Sequence, residues 1–181
     1  MHTVEAVKIL AEWDQYGWNV FTLSDMRKLF PHQSEKTLSE SLRRLVQKGL
    51  LQRVVNGVFV NPLSSRSRIG MFERIACAIR RGEYNYISLE CALSEWGVIS
   101  QIPQAYLTIV TTGRKGVFNT PYGVIEFTHT QRSALDILKN TIQRERPLRI
   151  ATAQAALRDL RRVGRNLHLV DFEEMQQYEQ R

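Results

Sequence analysis

Residues 34–60 read SEKTLSESLRRLVQKGLLQRVVNGVFV, and this stretch combines a helical pattern with a β-hairpin pattern. Its first half repeats apolar residues at i, i+4, i+7 and i+8, the spacing of one helix face: Leu38, Leu42, Leu45 and Val46. Ser34 is a good helix cap, and Gly49 after Lys48 is typical of a helix end. The pattern predicts a helix that starts near Ser34 and has a polar face opposite its leucines.

The second half predicts a tight hairpin. Asn56 and Gly57 lie between β-branched residues, and both residue types tolerate the positive φ that a type I′ turn needs at its two central positions. We therefore expect strands over Gln52–Val55 and Val58–Asn61, joined by a type I′ turn and followed by Pro62.

Two further helices are predicted upstream of this stretch. Apolar residues at helical spacing predict a helix over Val4–Tyr16, and a second helix over Asp25–Phe30 has Ser24 as its expected cap and Pro31 as its stop. Three helices followed by a hairpin are the order of a winged helix-turn-helix. We therefore predict such a DNA-binding domain over residues 1–62, with its third helix in the major groove.

The third helix and the hairpin supply the candidate DNA contacts. Those at the helix start are expected to read or position bases: Gln33, Ser34, Lys36 and Thr37. Those expected on phosphate or in the minor groove lie further along: Arg43, Arg44, Arg53 and Asn56. Glu40 lies on the same face and would repel phosphate unless it accepts a hydrogen bond from a cytosine amine. A winged helix that contacts only protein stays an open alternative, because residues 1–62 hold eight basic and six acidic side chains.

The remaining chain predicts a linker and a second domain. Residues 63–70, LSSRSRIG, are small, polar and basic, as linkers are. Residues 71–181 predict helices interleaved with extended segments at 84–88, 105–112, 117–119 and 124–128. The expected helix caps there are Ser88, Thr152 and Asp171. The predicted fold class is α+β, with a small antiparallel sheet flanked by helices in the second domain.

Positive charge is concentrated late in the chain. The 181 residues carry a formal net charge of +7, and residues 144–165 hold seven arginines against two acidic residues. Four of the arginines follow helical spacing and predict a basic stripe: Arg158, Arg161, Arg162 and Arg165. Arginine suits phosphate and carboxylate recognition, so we expect this stripe to bind an anionic partner, either DNA or an acidic protein surface.

Several other function classes are disfavoured by the sequence. No apolar run approaches the ~18 residues of a membrane span, and the acidic residues near the N-terminus are not typical of a signal peptide. Two cysteines are too few for a disulfide framework, which predicts a cytoplasmic protein. Cys91 and His129 could form a nucleophile pair, but the position of Cys91 inside an apolar helical run favours a buried, inert thiol. We expect no enzyme activity, cofactor, metal or small-molecule substrate.

Three segments of the second domain carry a resemblance to a known family: YISLECALSEWG at 86–97, IVTTGRKGVFNTPYGVIEFTH at 109–129 and IATAQAALRDL at 150–160. Together with the predicted winged helix, they resemble the AbiEi-type antitoxins of type IV toxin–antitoxin systems, which act in abortive phage infection. The resemblance covers roughly residues 5–160.

The resemblance implies two activities. The N-terminal domain would bind double-stranded DNA in its own promoter region and repress its operon. The C-terminal domain would counteract a nucleotidyltransferase-like toxin. A stand-alone regulator of a mobile element, without a toxin, and a protein adaptor that binds no DNA remain the alternatives.

Overall fold

A computed structural model describes residues 3–64, 70–100 and 105–178. The chain divides into two compact units, Met1–Ile79 and Arg80–Arg181. Both units combine helices with a sheet, so the α+β class is confirmed. Residues 65–69, the larger part of the predicted linker, lie outside the described residues.

The first unit places helices around a three-stranded sheet. Its elements are, in chain order, α1 (Thr3–Gln15), β1 (Val20–Thr22), α2 (Leu23–Leu29), α3 (Glu35–Gln47), β2 (Gln52–Val55), β3 (Val58–Val60) and α4 (Met71–Ile79). The sheet order is β1-β3-β2, and both pairings are antiparallel. Its core joins residues from the helices and the sheet: Ala6, Leu10, Phe21, Met26, Phe30, Leu38, Leu42, Leu45, Leu51 and Phe59.

Helix α4 extends this first unit beyond residue 62. The sequence-based boundary assigned α4 to the second domain, whereas here α4 packs against β1 and β3. Met71, Ile75 and Ala76 are buried along one side of the helix. Burial of that apolar side accounts for the assignment of α4 to the first unit.

Helix α2 begins earlier than predicted. Its N-cap is Thr22 and not Ser24, because Thr22 and Asp25 form a reciprocal capping box. The Asp25 amide donates to the Thr22 hydroxyl over 3.2 Å, and the Thr22 amide donates to the Asp25 carboxylate over 2.8 Å. Two backbone donors are satisfied in this way, which Ser24 could not achieve from inside the first turn.

The predicted hairpin is present, but its turn is not type I′. Asn56 and Gly57 connect β2 to β3, and of the two only Gly57 has a positive φ, +76°. The register of the pairing also shifts between Arg53 and Val55. A type I′ turn would need positive φ at both central positions.

The second unit contains a six-stranded sheet that is mixed, not antiparallel as predicted. Its elements are β4 (Asn85–Ile87), α5 (Leu89–Glu95), β5 (Tyr106–Thr111), β6 (Gly116–Thr120), β7 (Gly123–His129), α6 (Ala134–Lys139), β8 (Thr141–Ile142), β9 (Arg149–Ala151), α7 (Ala153–Val163), a 3-10 turn (Leu167–Leu169) and α8 (Phe172–Gln176). The strand order is β6-β7-β5-β4-β9-β8. Strands β5 and β7 are parallel, as are β4 and β9.

The antiparallel prediction failed because strand order depends on distant parts of the chain. Strand β6 lies at the sheet edge, so β7 reaches β5 in parallel. Strands β8 and β9 were not predicted, since two and three residues are too short to show a period. Helices α5 and α7 pack against each other, on β5 and β9 respectively.

Candidate nucleic-acid interface

Helix α3 has the two faces that its sequence predicts. Its leucines are buried at three positions: Leu38, Leu42 and Leu45. The polar side chains of the opposite face are exposed: Lys36, Glu40, Arg43, Arg44 and Gln47. The first unit therefore presents a polar helix surface that contains three basic residues and one acid.

The residues at the start of α3 have different roles. Ser34 caps the helix, since its hydroxyl accepts from the Thr37 amide over 3.3 Å and lies 2.8 Å from the Thr37 hydroxyl. Gln33 is half-buried, and its side-chain oxygen is buried without a hydrogen-bond partner among the described residues. Lys36, Ser34 and Thr37 are exposed. Of the four predicted base contacts, Gln33 is the one that is half-buried and not exposed.

The two arginines of α3 are held differently. Arg44 donates to the Ser41 hydroxyl over 3.1 Å. Arg43 is exposed and lies on the side of α3 that faces the hairpin, and it has no carboxylate partner among the described residues. The charge of a cation without a carboxylate partner is not compensated within the protein, so this cation can pair with an external anion.

The hairpin presents its own polar pair. The guanidinium of Arg53 donates to the side-chain oxygen of Asn56, and both residues are exposed. The Gly57 carbonyl accepts from the Leu23 amide over 2.8 Å, which fixes the tip of the hairpin to the start of α2. The two predicted hairpin contacts, Arg53 and Asn56, thus lie next to each other, and the hairpin tip that carries them is attached to the start of α2.

A groove of about 440 Å³ separates α3 from the hairpin. Its lining includes two residues from each neighbouring element: Leu23 and Arg27 of α2, Arg43 and Val46 of α3, and Arg53 and Phe59 of the hairpin. Glu35 also lines the groove, and its carboxylate lies 2.8 Å from the Arg27 guanidinium. Sequence reasoning missed Arg27 because it lies on α2 and not on α3, and it missed Glu35 because that residue does not lie on the face opposite the leucines of α3.

The predicted arginine stripe of the second unit is interrupted. Helix α7 ends at Val163, and Gly164 turns the chain with a φ of +74°, so Arg165 does not continue the helical spacing. Arg158, Arg161 and Arg162 are exposed on α7, and Arg162 also donates to the His129 carbonyl over 3.0 Å. Three residues of the stripe therefore share a surface, and the fourth does not.

Arg165 is held inside its own unit by two carboxylates. Its guanidinium donates to Glu90 over 2.8 Å and to Glu126 over 2.6 Å, and 34% of its side chain is exposed. The hydrogen bonds that Arg165 donates to Glu126 raise the pKa of Arg165, although burial opposes this rise. Burial would raise the pKa of Glu126, but the Arg165 and Tyr106 hydrogen bonds outweigh it and lower that pKa. Arg165 is therefore committed to an internal ion pair.

A second polar network centres on Asp159, which is fully buried on α7. Its carboxylate accepts from the Ser88 hydroxyl over 2.8 Å, from the Tyr86 hydroxyl over 3.1 Å, and from the Arg132 guanidinium. Ser88 is the N-cap residue of α5 as predicted, but its hydroxyl is used here and makes no cap hydrogen bond.

The position of Asp159 on the helix carried a signal for this network. Asp159 follows the buried Ala155 by four residues, so the helical periodicity of α7 places the Asp159 carboxylate on the buried face. A buried carboxylate requires partners, but spacing within one helix cannot say which ones.

Cys91 and His129 have separate partners. The Cys91 thiol donates to the Tyr106 carbonyl over 3.2 Å, and burial raises its pKa, which opposes thiolate formation. The His129 ring nitrogen Nδ1 lies 2.8 Å from the Gly113 carbonyl. Within the described parts of the chain, no three His, Cys, Asp or Glu side chains are grouped to hold a metal ion.

The described helices include none that is long and apolar enough to cross a membrane. No protein-family model matches the chain, and a search of curated proteins also finds no match. The geometry of the two units is therefore the basis for the functional proposals that follow.

Proposed function

We propose that the first unit is a winged helix-turn-helix that binds double-stranded DNA, with α3 in the major groove and the β2–β3 hairpin as the wing. One observation carries the proposal: the groove is lined both by Arg43 and Gln47 of the exposed face of α3 and by Arg53 and Asn56 of the hairpin, and its lining includes three arginines and one carboxylate. Arginine side chains on a helix and an adjacent hairpin can contact the phosphates beside a major groove.

The proposed contacts follow from exposure. Lys36 and Thr37 reach base edges, and Ser34 positions the helix start. Arg43, Arg44, Arg53 and Asn56 contact the sugar-phosphate backbone or the minor groove. Gln33 is left out, because its side-chain oxygen is buried.

We propose further that the chain is an antitoxin that represses its own operon and counteracts a nucleotidyltransferase-like toxin. This part rests on the resemblance of the second-unit segments to AbiEi-type antitoxins. Arg158, Arg161 and Arg162 supply a basic surface for the toxin or for additional DNA.

The DNA proposal is tested by anisotropy with labelled duplexes that tile the region upstream of the gene for this chain, over a series of salt concentrations. The Lys36→Ala/Arg44→Ala variant should bind more weakly, and the slope of log affinity against log salt should decrease by about 0.9, because Arg44 is assigned to phosphate and Lys36 to base edges. The control variant Lys8→Ala/Lys115→Ala has the same change of charge away from the interface.

Two results would count against DNA binding. If no duplex binds, or if affinity is independent of salt, the protein-adaptor alternative gains, and Glu40 on the polar face of α3 fits that alternative. Equal losses in both double variants would show a general charge effect instead of an interface.

The antitoxin proposal is tested by co-expression with a nucleotidyltransferase-like reading frame adjacent to this gene. Restored growth supports it, and restored growth that is lost in Arg158→Ala/Arg161→Ala/Arg162→Ala assigns the basic surface to the toxin. Repression without such a neighbouring gene would favour the stand-alone regulator.

A further inference from the structure

We propose that Arg27 is an additional contact to the DNA backbone, and that Glu35 restrains it and so lowers the affinity for DNA. This inference rests on the proposed DNA-binding function. It assigns the groove between α3 and the hairpin to the phosphate backbone of one strand.

The first support is the convergence of charge on the groove. Arg27 of α2, Arg43 of α3 and Arg53 of the hairpin approach it from three elements. Glu35 is the acidic residue of the lining. Three guanidinium groups against one carboxylate leave a net positive groove, which is complementary to a polyanion.

The second support is the state of the carboxylate. Glu35 lies 2.8 Å from Arg27, and the two side chains are 82% and 50% exposed. An ion pair this exposed is weak, because solvent and salt screen it. A phosphate that enters the groove can therefore replace Glu35 as the partner of Arg27.

The third support is the shape of the groove. Leu23 and Val46 supply half-buried apolar surface between the arginines, and Gly57 at the hairpin tip has open space around it. The backbone of a duplex is a ridge with charged phosphates and apolar deoxyribose edges. A groove with an apolar floor and cationic walls accommodates both parts of that ridge.

The test uses the full chain, a labelled 25-base-pair duplex from the upstream region and a scrambled duplex of the same length. Arg27→Gln should weaken binding about fivefold at 0.15 M salt and decrease the salt slope by about 0.9, since one phosphate contact is lost. Arg27→Lys keeps the charge and should keep the slope.

Glu35→Gln should act in the opposite direction. We expect about threefold to fivefold tighter binding with little change in the salt slope, because Arg27 contacts phosphate in both proteins and in the variant no longer has to leave Glu35. In the Arg27→Gln background, the same change should have less than a twofold effect. Glu12→Gln, on α1, has an identical charge change and should have no effect of this size.

Three outcomes would overturn the inference. The first is that Arg27→Gln leaves the DNA affinity and the salt slope unchanged. The second is that Glu35→Gln increases the affinity equally in the Arg27→Gln background. The third is that Glu12→Gln increases the affinity as much as Glu35→Gln does. Wild-type binding in any of these cases leaves the proposed function intact. Absence of DNA binding by the wild type would instead remove the proposed function and this inference together.

Discussion

The two units differ in how their arginines are paired, and the Arg27–Glu35 ion pair of the first unit is largely exposed. In the first unit, Arg43 has no carboxylate partner among the described residues, and Arg53 is bound to the uncharged Asn56. In the second unit, Arg132 pairs with the fully buried Asp159, and Arg165 pairs with Glu90 and Glu126. Arginine is therefore available for an external partner where the chain is modestly charged, and is partly consumed where the charge is highest.

This difference shows what a count of charges omits. Arg165 lies in the most basic segment, but its partners are 75 and 39 residues away in sequence. Folding brings those carboxylates to the guanidinium and compensates its charge. The local charge of a segment is thus a poor guide to the potential it presents.

The largest expected effect is the loss of the Asp159 carboxylate. Asp159→Asn should destabilise the second unit by about 3 kcal/mol, because the Arg132 guanidinium, whose side chain is 18% exposed, loses its fully buried counter-charge. Urea unfolding followed by Trp96 fluorescence, in a Trp13→Phe/Trp18→Phe background, reports on this unit alone.

The control for that prediction is Asp136→Asn, which changes the same charge on a more exposed carboxylate near Arg132. It should cost less than about 1 kcal/mol. Similar losses for both variants would contradict the structural role assigned to the Asp159 network.

A smaller loss is expected for Arg165→Gln. We expect about 2 kcal/mol of destabilisation, since two carboxylates lose their partner but the side chain is one-third exposed and partly screened. Arg161→Gln on α7 is the matched variant and should change stability by less than about 0.5 kcal/mol. Equal losses of stability in the two variants would contradict the assignment of Arg165 to an internal ion pair.

The Glu126 ion pair should also give the second unit a dependence on acid. Because the pKa of Glu126 is lowered in the folded state, its stabilisation is present above its unfolded pKa and is lost as the pH falls through the folded value. The stability difference between wild type and Glu126→Gln should therefore shrink between pH 6 and pH 3. A difference that stays constant with pH would indicate packing as its source.

The smallest expected effect on stability belongs to the first unit. Arg43→Gln should change the free energy of unfolding by less than about 0.5 kcal/mol, because Arg43 is exposed and has no carboxylate partner among the described residues. Hydrogen exchange of the α3 amides measures this. A large loss of protection would mean that Arg43 is structural, and the contrast between the two units would fail.

Local patterns predicted much of the candidate site. The helix face of Leu38, Leu42 and Leu45 is buried as predicted, and the hairpin forms at Asn56-Gly57. Thr152 and Asp171 cap their helices as predicted. These features depend on interactions between residues that are close in sequence, so a local sequence pattern is sufficient to predict them.

Other features were mispredicted because competing local partners or distant partners decided them. Ser24 and Thr22 are both competent caps, and the return hydrogen bond of Asp25 selected Thr22. Ser88 is the N-cap residue of α5 as predicted, but the buried Asp159 carboxylate binds its hydroxyl, so that the hydroxyl makes no cap hydrogen bond. The mixed sheet depends on where β7 and β9 insert, which no period within a strand reveals.

The amino-acid sequence alone determined the amphipathic α3, the hairpin after it and the excess of arginine. Tertiary structure alone decided which arginines are paired with carboxylates, since only folding brings Glu90, Glu126 and Asp159 to their partners and leaves Arg43 without a carboxylate partner among the described residues. The physical reason is range: backbone propensity and side-chain periodicity act between near neighbours, whereas charge neutralisation acts between any groups that the fold places within a few ångströms.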